Sequence, residues 1–441
     1  MYHWTRYCFV LLAFLGLSQL SFGQEKTPTW LKPFEDGKIK PFGMFQIWGT
    51  YSQGQEVFDG EAGEYQPVDD RLNFLIRRAR IGFRARPYDY LKITVVGYYD
   101  LIGRDALAAT RGGYNPGNGN VGGNPQFGIW DAFFTWKISR NSEALNLTGG
   151  YFRPQLSRES ITSGWSVNSF EKALSQTYIR RHLVGTGPGR ATGVNLGGNL
   201  LGDGLLGFNY NVGVFNPVRA LSSTFATIGA EWAPLLVGRG VLYIGDPEQT
   251  SYKIGYDINY FGKRRGLSIG FGGAMQGATE RFDRSQALST DFLLNLGPVN
   301  LDGDLNFMTR EGQRVNDNGE TIDISAAGQT GHIRGGYNIF LNRFVLEPSA
   351  MWWFFQGPLD AEGQVNAATL GMSSGTDQCF DVGVNLYMNS KRLKLALHYT
   401  WQQGDAGDAG NGFTGNDFFR QRGIGAIQRG NYLGLGLTAI Y

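Results

Sequence analysis

The chain has 441 residues, with 40 Lys and Arg against 38 Asp and Glu and a formal net charge of +2. Near neutrality gives no electrostatic basis for holding nucleic acid, and two cysteines, one of them at position 8, exclude a disulfide-stapled scaffold. No low-complexity tract or shift in composition marks a second folded domain.

The first residues, MYHWTRYCFVLLAFLGLSQLSFGQ, set Arg6 before an apolar run from Cys8 to Leu17, with Ser21 and Gly23 preceding Gln24. This pattern predicts an export signal over 1–23, cut after Gly23, with 24–441 as the mature domain. Ten apolar residues fall short of the roughly 20 that a membrane-crossing helix needs. The mature chain would keep 418 residues (441 minus 23) and one cysteine, Cys379, so backbone pairing and packing must hold it without an internal disulfide.

From there one unit recurs, a strand-length run with a two-residue period. In LLGFNYNVGVFN, Leu206, Phe208, Tyr210, Val212 and Val214 share a face opposite Gly207, Asn209, Asn211 and Gly213. YKIGYDINY reads the same way through Tyr252, Ile254, Tyr256, Ile258 and Tyr260, and LKLALHYTWQQ through Leu393, Leu395, Leu397, Tyr399 and Trp401. Similar alternation runs through 40–53, 71–87, 90–101, 127–139, 145–153, 190–200, 265–276, 299–310, 343–355 and 378–389. The final residues, NYLGLGLTAIY, alternate as well, and they end on an aromatic residue.

Tight turns at Arg86–Asp89, 262–266, 297–298, 341–342 and 389–392 alternate with long Gly- and Asn-rich loops at 54–70, 102–126, 154–189, 311–327, 357–376 and 403–429. Short turns on one side and long loops on the other predict an all-β fold, a transmembrane antiparallel barrel with periplasmic turns and extracellular loops. A soluble β-sandwich would also alternate, but its core face should be aliphatic. Here the apolar face carries Tyr98, Tyr99, Trp130, Trp136, Trp352, Trp353 and Trp401 near strand ends, as an interfacial aromatic girdle would. Both termini on the periplasmic side require an even number of strands. The stretch 224–250 leaves 16 or 18 open, and either size encloses an aqueous channel.

The most informative internal stretch is RLNFLIRRARIGFRARP, residues 71–87. In a regular strand Arg78, Arg80, Arg84 and Arg86 point one way, opposite Leu75, Ala79, Ile81, Phe83 and Ala85, with Arg77 at an interface or a bulge. Arginine facing lipid costs about 2–4 kcal/mol near the midplane, so the arginine face is assigned to the lumen. These arginines either line the pore as a basic ladder or pair with acids of neighbouring strands, Asp100 and Asp131 being candidates. The loop 154–189 and its flanks concentrate Arg153, Arg158, Lys172, Arg180, Arg181 and Arg190 against Glu159 and Glu171. Folded inward, it would narrow the channel and favour anions; left outside, it would be a solvated surface. The loop 54–70 carries six acids and no base, and would discourage anions if it overhangs the mouth, or would instead bind divalent cations or border the lipopolysaccharide.

Taken in order, FLIRRARIGFRARP, IWDAFFTWK, GGYFRPQLSRES, NSFEKALS, GRATGVNLGG and VGVFN resemble the phosphate-selective porin O and P family over the first half of the chain. The ending, with Gly436, Ala439 and Tyr441, is similar to the strand that outer-membrane barrels present to their assembly machinery. The resemblance implies a homotrimer of 16-stranded barrels in a Gram-negative outer membrane. It also implies a basic ladder at Arg78, Arg80, Arg84 and Arg86, a constriction at 154–189, and passive diffusion of small anions such as phosphate or polyphosphate. No cofactor or metal is expected. The alternatives are a non-selective channel, a sugar- or peptide-permeable channel and, more remotely, a barrel enzyme. The mature histidines, His182, His332 and His398, stand in no catalytic motif, and His332 and His398 read as polar wall residues.

Overall fold

The computed structural model describes residues 36–110, 127–202, 204–217, 231–316, 318–408, 415–421 and 423–441. The expected export signal lies outside the described residues. Pro41–Tyr441 forms one compact unit. Sixteen long strands build it: β1 Ile39–Gln53, β2 Arg71–Tyr88, β3 Leu91–Tyr98, β4 Gly128–Lys137, β5 Asn146–Phe152, β6 Ala191–Leu201, β7 Leu206–Asn216 and β8 Leu235–Gly245 form the first half. The second half is β9 Arg265–Gln276, β10 Arg284–Leu296, β11 Val299–Val315, β12 Thr321–Tyr337, β13 Phe344–Gln356, β14 Thr376–Tyr387, β15 Leu393–Asp405 and β16 Asn431–Ile440. Each strand pairs with its neighbours in sequence, and β1 pairs with both β2 and β16, so the sheet closes. The closing register sets Met44 opposite Ile440 and Tyr51 opposite Leu433. A short extra strand, Ile339–Leu341, prolongs the β12–β13 hairpin.

The two-residue period becomes an inside and an outside. On β15 and β16, Lys394, Ala396, His398, Thr400, Gln402, Tyr432 and Thr438 are buried inward, while Leu397, Trp401, Leu433, Leu435 and Leu437 stand exposed on the outer wall. Exposed Leu, Val, Ile and Phe recur on nearly every strand, including Ile47, Ile81, Val212, Leu242, Phe271, Leu288, Ile333 and Val382. An apolar outer wall on a sheet without edges is what a bilayer demands, since every strand amide then finds its partner within the sheet.

The structure corrects several expectations. The strand number is 16, one of the two values left open: the described residues 231–250 supply one strand, β8, whereas 252–260, expected as a strand, is not one. The expected loop at 311–327 is mostly β11, which runs to Val315, and β12, which starts at Thr321. On β2 the buried residues are Asn73 and Leu75, then Arg78, Arg80 and Gly82. Alternation therefore slips by one around Ile76 and Arg77, turning Leu75 inward and making Arg77 the bulge residue. Of the girdle aromatics, Trp136 and Trp401 are exposed on the wall, but Trp353 is buried inside and Trp130 lies beneath two arginines. Their inward places follow from what fills the lumen.

Two connections enter the barrel. From the long-loop end comes 153–190, with short helices at Arg158–Ile161 and Ser175–Val184. From the short-turn end comes 246–264, where Tyr252, Tyr256 and Ile258 are buried. Leu174, Tyr178, Ile179, Leu183 and Val184 of the first loop form an apolar core with inward residues of the wall, among them Phe215, Val237, Met308, Met351, Trp353 and Phe355. Trp353 therefore faces in because the lumen at this level is greasy rather than wet.

Candidate functional site

The two inward loops and the wall facing them are the candidate site. The second helix of the upper loop stops at Gly185, whose φ of 80° suits glycine, and whose N–H closes onto the Arg181 carbonyl. Tyr178 stacks on Phe355 at 3.8 Å between ring centroids and donates to Asp377 at 2.6 Å, which pins the helix across the lumen. Below it the segment Val167–Glu171 is moored to the wall. Lys394 Nζ donates to the Val167 carbonyl at 2.8 Å, Ser349 Oγ to the Asn168 carbonyl at 2.6 Å, and the Phe170 N–H to Asp381 at 3.2 Å.

Ion pairs join the loops to each other and to the wall. Arg158, fully buried, meets Glu248 of the lower loop with Nη2 at 2.7 Å and Nη1 at 3.0 Å, and its Nε lies 3.3 Å from Asp291. Asp291 is held from its other side by Arg239 at 2.8 Å. Glu159 meets Arg334 at 3.0 Å, Arg334 meets Asp302 at 2.7 Å, and His332 sits between Asp302 at 3.0 Å and Asp304 at 2.8 Å. Glu171 binds Arg77 at 2.6 Å and also pairs with Arg78. Burial works to raise the Glu171 carboxyl, but the Arg77 and Arg78 guanidiniums outweigh it and hold the group at about 2.

The eight residues singled out for anion binding fall into distinct settings. Arg78 is buried against Glu171 and the Gln46 side chain, and Arg80 against Asp100 at 2.5 Å, its guanidinium 3.7 Å above the Trp130 ring. Arg84 and Arg86 are not buried, Arg84 lying over the Phe42 ring at 4.1 Å. Arg158 belongs to the Glu248 network, and Arg181 pairs with Asp417. Lys172 and Arg180 differ from these. Lys172 Nζ donates to the carbonyls of Glu159 at 2.5 Å and Thr162 at 2.7 Å, while Arg180 donates to the Ser160 carbonyl. Arg153 donates to the carbonyls of Ser160 at 2.7 Å and Thr162 at 3.0 Å.

Three cations thus converge on the carbonyls of one tight turn, and among the described residues none has a carboxylate within ion-pair distance. Arg190 sits beside them, paired with Asp131 at 2.9 Å and stacked over Trp130 at 3.7 Å. Burial, with Arg153 and Arg190 alongside, pushes the Arg180 guanidinium well below its ordinary value. Burial likewise pushes the Lys172 ammonium down, with Glu159 only partly offsetting it. An anion placed among these groups would relieve both effects.

Sequence reasoning missed the lower loop with Glu248, and the inward acids Asp291, Asp302, Asp304, Glu347, Asp377 and Asp381 of β10–β14. Pro247, just after β8 and just before Glu248, was the available signal, since proline ends ladder pairing. Glu159, Asp302 and His332 bring ligand-type atoms within 4.8 Å of one another. Arg334 already holds both carboxylates of that group, so its negative charge is compensated without an ion.

No protein-family model matches the sequence, and no curated protein matches it. Solved structures do. The outer membrane channel DcaP of Acinetobacter baumannii aligns at 12% identity and TM-score 0.50, over 91% of this chain and 97% of its own. The anion-selective porin from Comamonas acidovorans aligns at 12% identity and TM-score 0.50, over 91% and 99%. OprB of Pseudomonas putida aligns at 8% identity and TM-score 0.52, over 94% and 96%. The fold is that of the outer-membrane porins. Within that porin fold, the filled lumen described above is read from this chain's own residues, because identities this low carry architecture alone.

Proposed function

We propose that the chain is an outer-membrane porin of a Gram-negative bacterium, a passive diffusion channel that favours small anionic solutes, with phosphate and polyphosphate as candidate permeants. The observation that supports anions is the set Arg153, Lys172 and Arg180, whose buried cationic heads rest on carbonyl oxygens rather than on carboxylates. Carbonyls satisfy hydrogen bonds without cancelling charge, so a positive potential is left in a low-dielectric passage. Arg84 and Arg86, near the short-turn end and not buried, add to it from below. The domain is taken as 24–441 with a removed signal, assembled as a homotrimer. The outer loops would border lipopolysaccharide, and β16 would be presented to the barrel-assembly machinery.

A barrel enzyme is disfavoured by the settings of the histidines. His332 and His398 are engaged by Asp302, Asp304 and Asp381 rather than by a nucleophile. His182 Nε2 lies 3.2 Å from Ser285 Oγ, but also 2.7 Å from the Gln286 carbonyl, which can only accept, so Nε2 carries the hydrogen it donates there and offers the serine no base. The test is the reversal potential of the purified protein in a planar bilayer under a KCl gradient, followed by block with phosphate. Anion preference with phosphate block is expected; cation preference overturns the anion assignment, and absence of conductance overturns the channel.

A further inference from the structure

Among the described residues, two cavities beside the inward loops lie against the same part of the wall. One is bordered by Gln46 of β1, Lys394 of β15 and Thr438 of β16, together with Gly164–Val167 of the upper loop. The other is bordered by Trp48 of β1, Thr400 of β15 and Tyr432 of β16, together with Glu171 and Lys172 of the same loop. On each strand the bordering residues follow the inward alternation, so the cavities are stacked along the barrel axis. What separates them is read off the same elements. Between Thr438 and Tyr432 lie Gly436 and Gly434; between Lys394 and Thr400 lie Ala396 and His398; between Val167 and Glu171 lies Phe170.

Phe170 is buried to 1% exposure. Its ring stacks on Trp48 at 4.4 Å and approaches Tyr432 at 5.9 Å and His398 at 6.0 Å. A Cβ built on Gly434 would come within 2.3 Å of that ring and one on Gly436 within 3.2 Å, so both glycines form a notch that the ring occupies. The notch is specific to these positions: the outward neighbours on β16 are Leu433, Leu435 and Leu437. The ring makes apolar contacts, whereas the backbone leading to it and its own N–H are held by Lys394, Ser349 and Asp381.

We propose that solutes pass along the seam of β15, β16 and β1 from one cavity to the other, and that Phe170 in the Gly434–Gly436 notch is the residue that sets the size of that passage. The inference rests on the porin reading and adds its route. Clearing the ring joins the two cavities through a channel lined by Gly434, Gly436 and Ala396 on the wall side, with Lys172 at one end and Lys394 at the other. Lys391 and Lys394 make one end cationic, whereas Lys172 at the other end stands beside Glu171 and Asp381; an apolar ring between them excludes water until it moves.

The test uses the full chain in planar bilayers, with folding of each variant checked by its heat-dependent shift on an SDS gel. Phe170→Ala is expected to raise single-channel conductance about two-fold or more, and Phe170→Trp to lower it. A second pair locates the route: Gly436→Cys in a Cys379→Ser background, with and without Phe170→Ala, is exposed to a charged methanethiosulfonate during recording. The alanine variant should be modified roughly ten-fold faster, with loss of current, because reaction follows thiol access. Conductance that is present but indifferent to Phe170, with the introduced thiol unmodified in both backgrounds, overturns the seam while leaving the porin reading intact. No conductance in any folded variant overturns the porin reading itself.

Discussion

Replacing Arg158 by methionine removes a side chain that ties the upper inward loop both to the lower one and to the wall. Arg158 is fully buried, makes two hydrogen bonds to Glu248 and lies 3.3 Å from Asp291. Asp291 keeps Arg239 at 2.8 and 2.9 Å, so its loss is small, but Glu248, itself fully buried, loses its bidentate partner. Removing one member of a buried pair costs about 3–5 kcal/mol, mainly the cost of the charge left behind. That corresponds to an increase in loop opening of about a hundredfold or more. Hydrogen–deuterium exchange of the detergent-solubilised protein, read on peptides from 154–189 and 246–264, should accelerate by that order while the strands stay protected. The double variant Arg158→Met with Glu248→Met removes both charges, and most of the protection should return, since an apolar pair of similar volume replaces the ion pair at little cost. Unchanged exchange in the single variant, or a double variant as labile as the single, would refute the reasoning.

Glu171 should make loop protection pH-dependent. Its carboxyl is lowered from 4.5 to about 2 in the folded chain, so it stabilises the loop above its ordinary value, and that contribution disappears as pH falls from about 4.5 through 2. The shift corresponds to about 3 kcal/mol, less a screening discount for the 20% of the side chain that solvent reaches. Exchange of peptides around 164–174 should rise over that window, and Glu171→Gln should show the acid-state rate at neutral pH; a variant that still responds to acid there removes Glu171 as the cause. Arg180→Glu should move the KCl reversal potential toward cations, and an unmoved potential would take Arg180 out of the conducting path. Leu435→Arg, on the outer wall of β16, should cost about 2–4 kcal/mol in folding into vesicles if it lies near the midplane. Urea titration measures this, and a neutral outcome would mean that this face does not meet lipid.

Much of the wall was legible because a strand between lipid and lumen must alternate. LKLALHYTWQQ and NYLGLGLTAIY carry that alternation and hold their expected faces. Where the lumen is filled with protein the same logic fails. Tyr252, Tyr256 and Ile258 alternate like a strand, yet they are buried at the centre of the barrel, where an irregular segment must also hide every second side chain. Trp353 reads as an interfacial residue, but it faces Leu174 and the rest of an internal core that local sequence does not announce. Pairing was legible where the partners lie close along neighbouring segments, as for Arg80 of β2 with Asp100 just past the end of β3, a candidate from the outset. Arg158 and Glu248 are 90 positions apart and meet only once two loops have entered from opposite ends, so no local pattern could join them.

Strand β13 has a further consequence. Met351, Trp353 and Phe355 serve the interior, while Trp352 and Phe354 stack together and Phe380 of β14 joins Trp352. A segment that is oily on both sides has no preference of its own for which side ends up in hydrocarbon, so its facing is imposed by hydrogen-bond register with β12 and β14. Until those neighbours clamp it, the nascent chain displays a contiguous adhesive run, and its safe passage to the membrane depends on being shielded in transit.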